Sequence, residues 1–200
     1  MAEMSFLERW LVNSPFRAWL QRGEIDAFIR WSGMPASAHV LDMGCARGVS
    51  TSLILAKLRP RRLAAFDLDP VMVEAARKRL KRALEDGVLD LRVADAAQMS
   101  YEDGTFDAVF ESGLLHHVPD WRAALREIGR VLKPSGCFCF AEPSRGRLQR
   151  GLYRILPHAA ESMFDAEELR IALADAGLRL EDPQRRLPLW DICGAAKKEG

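Results

Sequence analysis

The chain has 200 residues, of which 48% are hydrophobic, so it is long enough for one compact domain and short for two sizeable ones. Its 29 Lys and Arg residues against 28 Asp and Glu residues give a formal net charge of +1, which argues against a dedicated nucleic-acid binder. The four cysteines form no C-x-x-C pair and no apolar run approaches the ~20 residues that cross a bilayer. We therefore expect a cytoplasmic protein with no membrane span and no disulfide framework.

Two helices are expected before residue 38. Ser5 and Glu8 form a capping-box pair that starts the first helix. Ser14 followed by Pro15 starts the second, since serine caps a helix and proline suits its first position. Apolar residues recur at helical spacing in both segments, which fits either packing on a core or a lid over a site.

From residue 38 onwards, strand patterns alternate with helix patterns. Strands are expected at residues 39–43, 62–66, 88–94, 106–110 and 137–141, and helices at residues 49–58, 70–85 and 121–132. This alternation predicts an α/β fold with a mostly parallel, doubly wound sheet and helices on both faces. The strongly apolar residues 106–110 are expected to form a central strand.

After a basic loop, Asp165 and Glu168 form a second capping-box pair, and Gly177 ends the helix that they start. Residues 178–180 and 189–195 are expected to form two last strands, as a hairpin at the sheet edge. The chain is thus predicted to be a single domain. Its parts are an N-terminal helical lid at residues 1–37, a ligand-binding core at 38–142, and a C-terminal helix with edge strands at 143–200.

A glycine-containing turn follows the first strand. In doubly wound sheets the ligand lies beyond the carboxyl ends of the strands, so this turn at residues 42–48 is a candidate site. The pattern of S-adenosylmethionine sites is an acidic residue followed by G-x-G-x-G, which specifies four positions. Three of them are matched, by Asp42, Gly44 and Gly48, and the fourth is Ala46 instead of glycine. The dinucleotide pattern G-x-G-x-x-G fails at Ala46 and Val49.

Acidic residues end the next two strands. Asp67 lies 25 residues after Asp42, where an acid is placed to accept hydrogen bonds from both ribose hydroxyls of an adenosine. Since Asp69 is predicted to cap the following helix, Asp67 has no evident structural partner. Met72 is predicted either to lie against an adenine ring or to belong to the core, and Asp95 is placed to accept a hydrogen bond from the adenine amino group.

Two adjacent histidines follow the fourth strand, beyond Glu111 and Ser112. His116 and His117 are candidates for a general base, because an unperturbed imidazole titrates near neutral pH. A histidine that packs or hydrogen-bonds within the loop is the alternative. Because neighbouring side chains rarely point the same way, we expect at most one of them to face a substrate. No metal site is predicted, because no further ligand repeats at metal-binding spacing.

Five segments together resemble the motifs of class I S-adenosylmethionine-dependent methyltransferases. Residues 40–45 and 66–70 resemble the first two motifs of that family, residues 106–110 with 115–120 resemble the fourth, and residues 130–136 resemble the turn before strand five. The resemblance covers roughly residues 38–142 and is strongest to members that act on small molecules, including quinone precursors.

The resemblance implies a Rossmann-like seven-stranded sheet with an antiparallel last strand, and S-adenosyl-L-methionine as cofactor, converted to S-adenosyl-L-homocysteine. The residues predicted to contact the cofactor are Arg17, Asp42, Gly44, Cys45, Ala46, Gly48, Asp67, Leu68, Met72, Asp95, Ala96, Glu111 and Ser112. Arg17 is expected to reach the methionine carboxylate. Ala46 departs from the family's glycine, and its methyl group is expected either to crowd the cofactor or to shift the loop.

The function predicted from the sequence is methyl transfer to a small-molecule acceptor whose nucleophilic atom (O, N, S or C) stays open. His116 or His117 is the predicted base for a hydroxyl acceptor, with Glu142 as its partner. The alternatives are a protein of the same fold that binds the cofactor without transferring methyl, and an RNA or protein methyltransferase. The Asn-Pro-Pro-Tyr-type signature used on planar amines is absent after the fourth strand. No nucleic-acid partner is expected, and a monomer and a homodimer are both compatible with the sequence.

Overall fold

The computed structural model describes residues 14–148, 164–181, 187–188 and 190–199. The helix expected to start at Ser5 lies outside these ranges. The helices are α1 Pro15–Ser32, α2 Val49–Lys57, α3 Pro70–Arg79, α4 Lys81–Glu85, α5 Trp121–Val131, α6 Arg145–Leu148 and α7 Ala166–Asp175, with a 3-10 turn at Leu115–His117. The strands are β1 His39–Met43, β2 Arg62–Asp67, β3 Leu89–Val93, β4 Phe106–Ser112, β5 Leu132–Glu142, β6 Leu178–Leu180 and β7 Ile192–Lys198.

All seven strands form one sheet in the order β3-β2-β1-β4-β5-β7-β6. Strands β1 to β5 are mutually parallel, and β7 runs antiparallel to both of its neighbours. This confirms the predicted doubly wound sheet with an antiparallel last strand and a β6–β7 hairpin at its edge. The strand order reverses between β1 and β4, so a crevice opens there at the carboxyl ends of the strands.

Helices cover both faces of the sheet, each over its own apolar core. On one face α1, α2 and α3 contribute Phe28, Ile54 and Val73. On the other, α5 and α7 contribute residues such as Trp121 and Leu169. Every apolar residue of β4 is buried, as expected for a central strand covered on both sides.

The predicted helix starts are present in the structure. Ser14 Oγ accepts a hydrogen bond from Arg17 N at 3.1 Å, with Pro15 in the first turn of α1. Asp165 and Glu168 form the complete capping box of α7. Both starts are set by short-range hydrogen bonds, which is why local sequence reveals them.

The main differences from the predicted elements lie at Leu80, at the start of β5 and at the start of β7. The single helix expected over residues 70–85 is interrupted at Leu80, whose φ and ψ of −105° and 16° are not helical. The Leu80 side chain is buried, whereas none of the five α4 residues is, so packing at Leu80 outweighs helix continuation. Strand β5 starts at Leu132 instead of residue 137, because Leu132 already pairs with Phe106. Strand β7 begins at Ile192, three residues later than expected. Within the described ranges, no helix is long and apolar enough to cross a membrane.

Candidate active site

The loop after β1 is held in a left-handed backbone conformation at three positions. Gly44, Ala46 and Gly48 have φ values of 68°, 44° and 78°. A Cβ on Gly44 would lie 3.1 Å from the Leu114 side chain, and one on Gly48 would lie 2.7 Å from Leu80 Cδ1. Both glycines relieve backbone strain, and a Cβ would make a tight contact at Gly44 and force the Leu80 side chain to move at Gly48. Ala46 adopts a conformation that favours glycine, at a cost of about 1–2 kcal/mol.

Asp42 ties the end of β1 to the start of α2. Its Oδ2 accepts hydrogen bonds from Ser50 Oγ at 2.8 Å and Thr51 Oγ1 at 2.6 Å. Burial raises the pKa of Asp42 to about 6, with the two hydroxyl donors opposing the shift. Asp42 thus shapes the loop from within the protein, and its predicted contact with the cofactor stays a prediction.

Asp67 joins the glycine loop to the end of β2. Its Oδ2 accepts a hydrogen bond from Ala46 N and its Oδ1 accepts one from Asp69 N, both at 2.9 Å. The prediction that Asp67 has no structural partner is therefore wrong, although Asp69 does cap α3 through Val71 N. Burial raises the pKa of Asp67 and these peptide donors lower it. A carboxylate has about four acceptor sites, so Asp67 keeps capacity for a ribose.

The remaining cofactor candidates on β2, α3 and the loop after β3 differ in accessibility. Leu68 is 46% exposed and Asp95 is exposed, with its Oδ1 accepting a hydrogen bond from Ala97 N at 2.8 Å. Met72 and Ala96 are buried. These positions place polar and apolar surface together at the carboxyl ends of β2 and β3.

Cys45, predicted to contact the cofactor, has its side chain in the core beneath α1, α2 and α3. Its thiol is buried, and burial raises its pKa. Its peptide N–H donates to Phe66 O at 2.9 Å. Both groups of Cys45 therefore serve the fold. The local spacing could not show this, because it does not tell which side chains of the loop point inwards.

His116 and Glu142 form a buried pair at the carboxyl ends of β4 and β5. His116 Nδ1 lies 2.6 Å from Glu142 Oε2, and Glu142 Oε1 accepts a hydrogen bond from Leu115 N at 2.6 Å. The exposed fractions are 5% for His116 and 0% for Glu142. The structure thus brings together the histidine and carboxylate that the sequence put forward as partners.

The two histidines lie closer than expected. Their ring centroids are 4.0 Å apart with an interplanar angle of 41°. The expectation that adjacent side chains point apart is wrong here, because His116 and His117 belong to a 3-10 turn rather than to a strand. Of the two, His116 is the one bound to Glu142.

Glu111 and Ser112 are the last residues of β4, next to the histidine turn. Glu111 is 1% exposed, and its Oε1 accepts a hydrogen bond from Leu114 N at 2.6 Å. Its Oε2 is buried and has no hydrogen-bond partner among the described residues. Ser112 Oγ donates to Glu24 Oε2 at 2.7 Å. A direct contact of Glu111 or Ser112 with the cofactor stays a prediction.

A four-residue network, which we call the α1 clasp, binds α1 to the sheet through Arg17, Glu24, Ser112 and Trp190. The Arg17 guanidinium lies 2.9 Å from both Glu24 oxygens and 2.9 Å from Ser112 Oγ. Trp190 Nε1 donates to Glu24 Oε1 at 2.7 Å, and its ring lies 5.3 Å from Arg17 Cζ. Sequence reasoning missed Glu24 and Trp190. The available signal was an acid two helical turns after Arg17 on the apolar face of α1.

The space between α1 and the strand ends is narrow. A cleft of about 10 Å³ lies between Gln21 and Ile25 of α1 and Gly44, Glu111 and Ser112 of the sheet. That volume holds about one water molecule.

The residues at the strand ends fit a cofactor that contains adenosine. Asp67 keeps acceptor capacity next to the exposed apolar side chain of Leu68. Asp95 offers a second carboxylate at the adjacent strand end, and Gly44 lets a ligand approach the backbone closely. Across the part of the chain that the structure describes, no group of three or more His, Cys, Asp or Glu residues could hold a metal ion.

The sheet order, the left-handed glycine loop and the acidic strand ends define a doubly wound α/β protein whose strand ends fit a nucleoside-containing ligand. A family model described as a methyltransferase domain matches residues 41–140. The chain therefore belongs to the class I S-adenosylmethionine-dependent methyltransferase family. This confirms the resemblance seen in the sequence.

The chain is similar to known proteins in sequence, which supports the family, and to solved structures in fold. A ubiquinone biosynthesis O-methyltransferase from Xanthomonas axonopodis pv. citri (strain 306) is 36% identical over 161 residues, which is 74% of this chain and 65% of that protein. The fold is similar to a SAM-dependent methyltransferase from Aquifex aeolicus, with a TM-score of 0.72, 20% identity and 98% of each chain covered. It is also similar to the [4+2]-cyclase SpnF, with a TM-score of 0.67, 23% identity, and 80% and 59% of the two chains covered. The chain spans 62–65% of the length of the first curated relatives it matches.

Proposed function

We propose that the chain transfers a methyl group from S-adenosylmethionine to a hydroxyl oxygen of a small molecule, with His116 as the general base. The observation that carries this proposal is the buried His116–Glu142 pair, with Nδ1 and Oε2 2.6 Å apart, beside the glycine loop. The O-methyltransferase relative supports oxygen as the acceptor atom. A hydroxyl acceptor needs its proton removed, and imidazole is suited to that task near neutral pH.

Asp67, Leu68 and Asp95 would hold the adenosine part, and the backbone near Gly44 would hold the methionine part. When bound, the cofactor supplies a methyl group on a sulfonium centre, which the acceptor oxygen attacks as the carbon–sulfur bond breaks. The role of the chain is to align the acceptor oxygen with that carbon and to exclude water.

His116 would take the acceptor proton on Nε2. Its Nδ1 faces Glu142, so a hydrogen on Nδ1 makes Nε2 the acceptor nitrogen of the ring. Glu142 is fixed in turn by Leu115 N, and it stabilises the imidazolium formed when the proton arrives. The pair therefore orients the base and balances its charge, as a carboxylate–imidazole pair does in other general-base sites.

The first experiment is calorimetric titration with S-adenosylmethionine and S-adenosylhomocysteine. Asp67→Asn is expected to weaken binding by about 1–3 kcal/mol, since it removes a charged hydrogen-bond acceptor for the ribose. Asp90→Asn is the matched control, because that carboxylate pairs with Arg92 away from the glycine loop. Absence of cofactor binding by the unsubstituted chain would refute the proposal.

The second part of that experiment measures S-adenosylhomocysteine release with a panel of phenols and catechols. His116→Gln is expected to lower the rate about 100-fold or more with cofactor affinity unchanged, which is the usual scale for a general base. His117→Gln is the control, and a rate loss confined to that variant would move the role of base to His117. Tight cofactor binding with no turnover on any acceptor would favour the alternative, a protein of this fold that does not transfer methyl.

A further inference from the structure

Three ionisable side chains are buried together where β4, β5 and the histidine turn meet. Glu111, Glu142 and His116 all lie in the interior, and the two carboxyls bind consecutive peptide N–H groups, those of Leu114 and Leu115. Two ionised carboxylates in such a place would repel each other in a medium of low dielectric constant. One of the two carboxyls is therefore expected to keep its proton.

The hydrogen-bond donors around the pair identify which carboxyl keeps it. Both oxygens of Glu142 have a hydrogen-bond donor: Leu115 N for Oε1 and His116 Nδ1 for Oε2. Glu111 has a donor at Oε1 only, while its Oε2 is buried without a donor in the described structure. A buried carboxylate oxygen that lacks a donor disfavours the charged form. A proton on Glu111 removes that cost and turns Oε2 into a donor.

The pKa shifts of the two carboxyls also indicate that Glu111 is the one that keeps its proton. Burial raises the pKa of Glu111 well above its usual range, and the charge of Glu142 and a hydrogen bond with it raise it further. Burial also raises the pKa of Glu142, and hydrogen bonds from Glu111 and from the peptide N–H groups of the turn only oppose that rise. The contact between the two carboxyls thus raises the pKa of Glu111 and lowers that of Glu142, in agreement with the count of donors.

We propose that Glu111 is a positioning residue that stays protonated and donates a hydrogen bond to Glu142, so that Glu142 alone carries the negative charge beside His116. Glu111 in this role holds Glu142 in place without adding a second charge to the imidazole environment. The inference rests on the proposed function and deepens it, because it explains how the orientation and the charge environment of His116 are fixed. The protonation of Glu111 itself can be tested without any acceptor.

Other charged groups surround the cluster and need to be distinguished from Glu111. They are Arg17 and Glu24 of α1, which bind Ser112, Asp42 of β1, which lines the same cleft as Glu111, and His117 of the turn. Arg17 and Glu24 bind each other in the α1 clasp, and Asp42 accepts from two hydroxyls. Glu111 Oε2 receives a hydrogen bond from none of these side chains.

The test is an NMR titration of the full chain labelled with ¹⁵N-histidine, with His116 assigned among the four histidines by His116→Gln. Glu111→Gln keeps a neutral side chain with an N–H donor, so the Nδ1–H tautomer of His116 is expected to persist. The midpoint of its titration is expected to change by less than about 0.3 pH units. Glu142→Gln removes the one charge, and the midpoint is expected to fall by about 1 pH unit or more.

An equal fall in Glu111→Gln and Glu142→Gln would overturn the proposal, because it would mean that both carboxyls are ionised. Carboxyl ¹³C NMR of the unsubstituted chain gives a reading that does not depend on how well the variants fold. A Glu111 signal at the ionised position at pH 7 would equally overturn it. If the chain binds no S-adenosylmethionine while Glu111 is protonated, the proposed function fails and this inference stands.

Discussion

Removing the carboxylate of Glu24 is expected to destabilise the protein strongly, because the α1 clasp converges on that side chain. Glu24 is 2% exposed and accepts hydrogen bonds from Arg17, Ser112 and Trp190. In Glu24→Ala the Arg17 guanidinium, whose side chain is 12% exposed, loses its counter-charge. Breaking a buried ion pair from one side costs about 3–5 kcal/mol, and the indole and hydroxyl donors lose their acceptor as well. We therefore expect Glu24→Ala to lower the free energy of unfolding by about 3–5 kcal/mol.

Urea denaturation followed by circular dichroism measures this loss, provided that the m-value is the same in all variants. Glu24→Gln keeps an acceptor and the side-chain shape, so it is expected to lose less. The double variant Arg17→Met with Glu24→Leu removes both charges and should be more stable than Glu24→Ala, since a paired removal leaves no buried charge unbalanced. A Glu24→Ala loss below about 1 kcal/mol, or a double variant as unstable as the sum of its single variants, would refute this reasoning.

Two further predictions concern the loop after β1. Because the pKa of Asp42 is about 6 in the folded chain and 3.8 as an ordinary aspartate, the folded state binds more protons between those values. Stability contributed by this group therefore falls as the pH rises from about 4 to 6, by about 3 kcal/mol in total, and Asp42→Asn should remove that part of the slope in urea titrations across the range. An unchanged slope would contradict the assignment. Gly48→Ala is expected to cost about 1–3 kcal/mol in thermal unfolding, because its Cβ would lie 2.7 Å from Leu80 Cδ1. The control is Gly104→Ala, where φ is 62° and no atom lies within 4 Å, so it reports the backbone cost alone. Equal losses at Gly48 and Gly104 would rule out the steric contribution.

The sequence predicted those parts of the fold and site that depend on local spacing. The glycine loop, Asp67 at the end of β2 and the capping box at Asp165 are set by residues a few positions apart, and the structure has them where the patterns indicated. The partnership of His116 with Glu142 was predictable because parallel strands bring their carboxyl ends to one edge of the sheet.

The α1 clasp was not predictable, because Glu24 and Trp190 are 166 positions apart and no periodic pattern reports such a contact. The partners of Asp67 were missed for a related reason. Spacing indicates which residue caps a helix, but it does not show that a second carboxylate reaches the peptide N–H of Ala46 on another loop. The break at Leu80 likewise reflects packing that helix propensity does not include.

The position of β7 has a consequence for how the chain is made. This strand follows β6 in sequence, yet it lies between β5 and β6 and covers the open edge of β5 along six residue pairs. During synthesis the β5 edge therefore stays unpaired until residues 192–198 have left the ribosome, and an unpaired strand edge invites association with other chains. Premature stops or slow translation shortly before residue 192 should thus yield aggregation-prone products, even though strands β1 to β5 are already complete.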